Sequence, residues 1–174
     1  MTTSSHPAFL IVRAKISEAA KALAHMEKMD VQQKSLSASN PSLYSTDVHA
    51  ESMATNVQGI YTQFESILKS LTNTIDGFTP SGESSHRDLL LQASVGDNNR
   101  GAMISGDTLH GLSQLLRFRH AVRNNYANEL RHADVFENVD RVKNIAPIFF
   151  SDLAAFIDSF DNDNGDDGDE QADR

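Results

Sequence analysis

Apolar residues along this chain recur at steps of three and four, the period of a helix that buries one face. Phe9, Val12, Ile16, Ala19, Ala20, Leu23 and Met26 set the first such stripe and predict a helix from about Pro7 to Lys34. Polar residues 35–45 follow, with the Asn40–Pro41 pair as a turn signal. A second helix, capped by Thr46 or Asp47 and running to about Asp76, carries the continuous stripe Met53, Val57, Ile60, Phe64, Ile67, Leu68 and Leu71. Gly77 and Pro80 stop it.

A short third helix is expected over Glu83 to Gln92, where Leu89, Leu90 and Leu91 supply the apolar side. The fourth is expected to start at an Asp107 N-cap and to reach about Arg131, with Leu109, Leu112, Leu115, Leu116, Phe118, Val122 and Tyr126 as its stripe. The fifth runs from about Val135 to Phe160 through Val139, Val142, Ile145, Phe149, Leu153, Phe156 and Ile157, and Pro147 within it predicts a kink or a break. No segment alternates with period two, so the fold class is all-α, an up-and-down bundle of about five helices.

Composition changes this picture in two places. At 174 residues with 39% apolar content the chain is long enough for one domain with a real core. The net charge of −9 is unevenly spread: Asp161–Arg174 carries seven acids and one base, which leaves residues 1–160 at only −3. The domain is therefore expected over 1–160, and 161–174, without a large apolar side chain to offset its ordering entropy, as a disordered acidic tail. Inside the domain, Arg117–Arg131 holds four arginines against the single acid Glu129, a local basic segment suited to phosphate.

Several classes drop out. The chain has no cysteine, which removes disulfides, thiolate metal sites and cysteine nucleophiles. No apolar run approaches the roughly 18 residues of a membrane span, and the Ala8–Val12 stretch is too short and wrongly flanked for a secretory leader. A cytoplasmic protein that needs no membrane, metal or cofactor is the expectation. His110 and His132 lie too far apart for a helical ligand pair.

Chemistry concentrates in the fourth helix. Leu115–Leu130 reads LLRFRHAVRNNYANEL. This segment resembles the signature of the HEPN ribonuclease toxins of the HepT kind: an arginine, four residues, a histidine, one residue and a tyrosine, often opened by Phe-Arg-His. Arg119 matches the arginine and Tyr126 the tyrosine, while Asn124 stands where the family has its histidine. The flanks resemble the same group in order and spacing: Gln58-Gly59-Ile60-Tyr61 through Glu65 and Ile67 its second helix, and Asp76–Leu91 its glycine-proline-glycine loop with a following histidine and leucine pair. The likeness spans roughly residues 8–160.

That resemblance implies a five-helix bundle that forms a homodimer through its motif helices and cleaves RNA, either tRNA or mRNA, without metal. It implies as partner a minimal nucleotidyltransferase antitoxin, which in some members transfers AMP to the motif tyrosine, here Tyr126. Arg119, position 124 and Tyr126 are then the catalytic positions, and Arg119, Arg123 and His120 the RNA-contacting ones. Histidine suits proton transfer near neutral pH, and arginine holds a phosphate through two parallel hydrogen bonds. Asparagine has no titratable proton, so a chain with Asn124 is expected to be impaired, by about 10²–10⁴-fold for a lost acid–base group. Asn124 reads either as natural divergence or as a disabling replacement. Activity as an enzyme thus stays open, with a non-catalytic module that binds the nucleotidyltransferase as the alternative.

Geometry bears on this arrangement. Residues five apart on a helix point about 140° from each other, so Arg119 and position 124 do not meet on one helix. Arg119, Arg123 and Tyr126 share a face, so a composite site built from two copies of the helix, as the resemblance implies, is physically reasonable. The plainer readings are a solvated face or ion pair for Arg119 and Arg123, an ordinary core aromatic for Tyr126, a structural role for His120, and a cap or packing role for His86.

Overall fold

A computed structural model describes residues 7–124 and 131–163, with side chains from Phe9 onward and to Phe160. Five helices make up the described chain: α1 (Pro7–Ser39), α2 (Thr46–Ile75), α3 (Ser85–Ser94), α4 (Gly106–Asn124) and α5 (His132–Asp163). No strand occurs among the described residues. The all-α bundle expected from the apolar periodicity is the observed fold.

Helix α2 is the hub and packs against each of the other four. Every residue of its stripe, from Met53 to Leu71, is buried. Helix α1 lies antiparallel to it: Lys15 near the start of α1 donates to Ser66 and Ser70 late in α2, while Asp30 late in α1 meets His49 early in α2. The five-helix core also takes in Phe9, Val12, Leu89, Leu90, Leu112, Leu115, Phe118, Val142, Phe149 and Leu153. Ala20, placed on the α1 stripe by periodicity, is exposed, and so is Leu91.

The ends of the helices depart from expectation in a consistent direction. Ser45, not Thr46 or Asp47, caps α2 by accepting from the Val48 N–H. Ser105, not Asp107, occupies the corresponding place before α4: its hydroxyl accepts from the Thr108 N–H and donates to Asp152 of α5. In both cases the cap lies one or two residues earlier, because an N-cap precedes the first helical residue and the acid then falls in the first turn, where it complements the helix dipole.

Helix α5 continues through Pro147 without a break. Pro147 lies on the exposed side, where the carbonyl it leaves without an intrahelical donor can be hydrated. The helix also runs three residues past Phe160, to Asp163. The rest of the acidic segment expected as a tail, and residues 125–130 that would carry α4 on to Arg131, lie outside the described residues.

Two features hold α3 and α4 in place. Gly111 lets α4 approach α5 closely: a Cβ there would lie 2.6 Å from Ile145 Cγ1. After α2, Gly77 takes a positive φ of 65°, and the chain it releases is tied back by Arg100. That guanidinium, almost wholly buried, binds both carboxylate oxygens of Asp76, at 2.6 and 2.8 Å, and donates to the Gln92 carbonyl at the end of α3. Backbone N–H groups of Met103 and Ile104 close on the Ala93 carbonyl. Helix α3 is thereby fixed between α2 and α4, which brings His86 to its place.

Candidate functional site

Helix α4 sorts its polar residues by angle. Leu112, Leu115, Leu116 and Phe118 go into the core, and Arg119 follows them inward, its side chain only 11% exposed. Arg117, His120, Arg123 and Asn124 lie on the outer side. Arg119 and Asn124 therefore diverge, as their spacing requires. Arg123 and Asn124 make no hydrogen bond or ion pair with another described side chain. Tyr126 lies outside the described residues.

What Arg119 faces is a polar cluster contributed by three helices. Its Nη1 is 3.2 Å from His86 Nε2 of α3 and 4.0 Å from Glu65 Oε2 of α2. Its guanidinium carbon sits 5.9 Å from the ring centre of Tyr61, a cation–π contact one turn before Glu65 on α2. On the other side of its ring, His86 Nδ1 makes a short hydrogen bond to Glu65 Oε1. A guanidinium can only donate, so His86 Nε2 accepts from Arg119 and the imidazole proton resides on Nδ1, which donates to Glu65. The ring is thus held in one tautomer by a carboxylate behind it and a cation in front.

The floor of the cluster is closed to solvent by packing. Glu65 and Tyr61 are buried, and the Tyr61 hydroxyl has no well-formed hydrogen bond. Burial, with the Glu65 carboxylate beside it, pushes the phenol far above its usual range, so Tyr61 stays neutral. The other side is open. His86 is 24% exposed, and the exposed His120 ring stands edge-on to it with ring centres 6.2 Å apart. The Arg119 guanidinium thus meets one imidazole, His86, and a second, His120, stands beside that ring; among the described residues no other arrangement combines these groups.

Sequence reasoning identified Arg119, His120, Arg123 and Asn124 but assigned no chemistry to Tyr61 or Glu65, and took His86 for a cap or packing residue. His86 is neither. The α3 N-cap is Ser84, without a side-chain cap bond, and the imidazole bridges Glu65 and Arg119 instead. A signal did exist: all three residues fall in the stretches of α2 and α3 whose order and spacing carried the family resemblance.

The family model described as HepT-like protein matches residues 52–160, well over half of the chain and nearly all of α2 to α5. No curated protein and no solved structure matches the chain. None of the described helices is long and apolar enough to cross a membrane.

Proposed function

The chain belongs to the HepT-like family, and from that premise we propose that it is the toxin component of a toxin–antitoxin pair, a metal-independent endoribonuclease weakened at position 124. The observation that carries this reading is the Arg119 cluster: the arginine of the motif is turned inward, oriented by His86 and Glu65, and set in the helix that the motif defines. Arginine so held can place its fork on the non-bridging oxygens of a phosphodiester and stabilise the charge that builds up there during cleavage. Arg123 and the exposed His120 extend the basic surface along which the RNA backbone would run.

Asn124 points away from Arg119 in its own protomer, so any contribution from position 124 to the same phosphate comes from a second copy. We therefore propose a homodimer whose interface includes α4, with Arg119 of one copy and position 124 of the other on one RNA. Sedimentation at micromolar concentration is expected to give a dimer, and a strict monomer contradicts this arrangement. The partner is a minimal nucleotidyltransferase antitoxin, for which Tyr126 is the acceptor of AMP. Asn124 also favours a second reading, a non-catalytic module that binds this nucleotidyltransferase, because an amide can hold RNA but cannot move a proton.

One assay separates the two readings. Labelled tRNA or mRNA is incubated with EDTA and either the protein as it stands or its Asn124→His variant. Slow cleavage by the first and a gain of about 100-fold or more for the second is expected, with 2′,3′-cyclic phosphate ends. No cleavage by either leaves the non-catalytic module.

A further inference from the structure

We propose that His86 and His120 are a general acid–base pair contained within one protomer, with Glu65 orienting His86 and Arg119 holding the scissile phosphate beside them. The proposal rests on the RNA-cleaving reading above and names the groups that move protons where Asn124 cannot.

Three observations carry it. First, the two rings stand side by side, with centres 6.2 Å apart, and the Arg119 guanidinium meets the first of them at His86 Nε2. In-line cleavage needs a base on the side of the attacking oxygen and an acid on the side of the leaving oxygen. Second, His86 has a carboxylate behind it. The short bond from Nδ1–H to Glu65 fixes the tautomer whose free nitrogen is Nε2, and it stabilises the imidazolium formed when that nitrogen takes a proton. Third, both rings can be reached: His86 is 24% exposed and His120 lies on the outer side of α4. The charged and titratable groups facing His86 are Glu65 from α2 and Arg119 and His120 from α4, and Tyr61 of α2 meets Arg119 in turn.

The ligand switches the site on. In the free protein Arg119 occupies His86 Nε2, so the base is masked. A phosphodiester draws the guanidinium onto its two non-bridging oxygens and uncovers Nε2. The ribose 2′-hydroxyl then gives its proton to His86 Nε2 as the 2′-oxygen bonds to phosphorus. The bond from phosphorus to the 5′-oxygen breaks, and His120, entering as the imidazolium, protonates that oxygen. The products are a 2′,3′-cyclic phosphate and a 5′-hydroxyl, and exchange of one proton with solvent at each ring restores the site. No metal or other reactant enters the balance.

The test uses the full chain, a labelled single-stranded RNA oligonucleotide and EDTA across about pH 5–8. The slow cleavage by the unaltered protein is expected to fall about 100-fold or more in both His86→Gln and His120→Gln, at unchanged helix content. Its bell-shaped pH dependence is expected to lose one limb in each variant. Glu65→Gln, a positioning change, is expected to lower kcat with little effect on KM. Cleavage by His86→Gln or His120→Gln at the original rate overturns the proposal. So does an unaltered protein that never cleaves while Asn124→His does, and in that case the RNA-cleaving reading survives. Cleavage by none of the proteins removes that reading and the proposal together. Should His86→Gln fail to fold, inorganic phosphate added to the unaltered protein decides: it is expected to move the ring resonances of His86 and His120 but not of His49, and two unmoved rings overturn the pair.

Discussion

Among the described residues the molecule contains three carboxylate–imidazole pairs. His132 and Asp47 meet at 2.8 Å on the surface, and the other two, each with a buried carboxylate, differ in what lies on the free side of the ring. In one, Asp30 of α1 and His49 of α2 are each 1% exposed, with Nε2 to Oδ1 at 3.1 Å. Lys34 and Lys143 both donate to the other carboxylate oxygen at 2.8 Å. The remaining ring nitrogen is taken by the Tyr44 hydroxyl at 3.1 Å, and Phe136 covers the ring edge-on at 4.9 Å. Every position around that imidazole is filled by this chain. In the other pair, Glu65 likewise backs His86, but the far nitrogen meets a guanidinium that a phosphate can draw off, and the ring opens toward His120. A carboxylate and an imidazole make a strut in one setting and a candidate site in the other. Access and a displaceable partner make the difference.

The sharpest way to break this comparison is to remove each carboxylate. Asp30→Ala leaves two ammonium groups and a buried imidazole uncompensated, and is expected to cost about 3–5 kcal/mol in denaturant unfolding, the range for breaking a buried ion pair. Glu65→Gln keeps the shape and a hydrogen-bonding oxygen, and is expected to cost clearly less stability while lowering cleavage. A Glu65→Gln protein as destabilised as Asp30→Ala would make both clusters structural.

Acid tests the sealed pair next. Burial, opposed by Asp30, holds the His49 imidazole below its ordinary value of 6.5. The two lysines hold the Asp30 carboxyl below its ordinary 3.8 despite burial. In both cases the unfolded chain takes up protons first. Stability is therefore full above the unfolded values and is lost as pH falls, beginning near 6.5 for His49 and again below 3.8 for Asp30. Urea midpoints measured against pH are expected to show both declines, and His49→Gln is expected to remove the upper one. A midpoint that rises between pH 6.5 and 5 would reverse the sign required by the lowered His49 value.

The smallest effect is expected from Lys34→Ala. Its side chain is 61% exposed although its partner is buried, and Lys143 still compensates Asp30. Its loss is expected to change unfolding free energy by less than about 1 kcal/mol. A loss comparable to that of Asp30→Ala would mean that Lys143 alone does not hold the carboxylate.

How much of this was legible in the sequence follows from distance along the chain. Apolar stripes are local, so α2 was readable to the residue: all seven positions of its stripe are buried. Caps are local too but hinge on which polar residue precedes the first turn, and Ser45 and Ser105 won over their acidic neighbours. Pro147 was read as a kink or break because its missing N–H is a local fact, whereas its exposed setting, which tolerates that loss, is tertiary. The Arg119 motif was legible through resemblance. Its companions were not, since Glu65 and His86 stand 21 residues apart and His86 and Arg119 a further 33. No periodicity links such residues; only the packing of α3 between α2 and α4 brings them together. The Asp30–His49 pair, 19 residues apart, was missed for the same reason.

The most direct test of the Arg119 cluster as the place where RNA phosphate is handled is metal-free RNA cleavage by the Asn124→His protein with and without Arg119→Lys. Lysine keeps the charge but loses the two-pronged donor and its hold on His86. With helix content and melting monitored alongside, a loss of about 100-fold or more in cleavage by a folded protein is the expected result. Undiminished cleavage by the folded Arg119→Lys variant would contradict it.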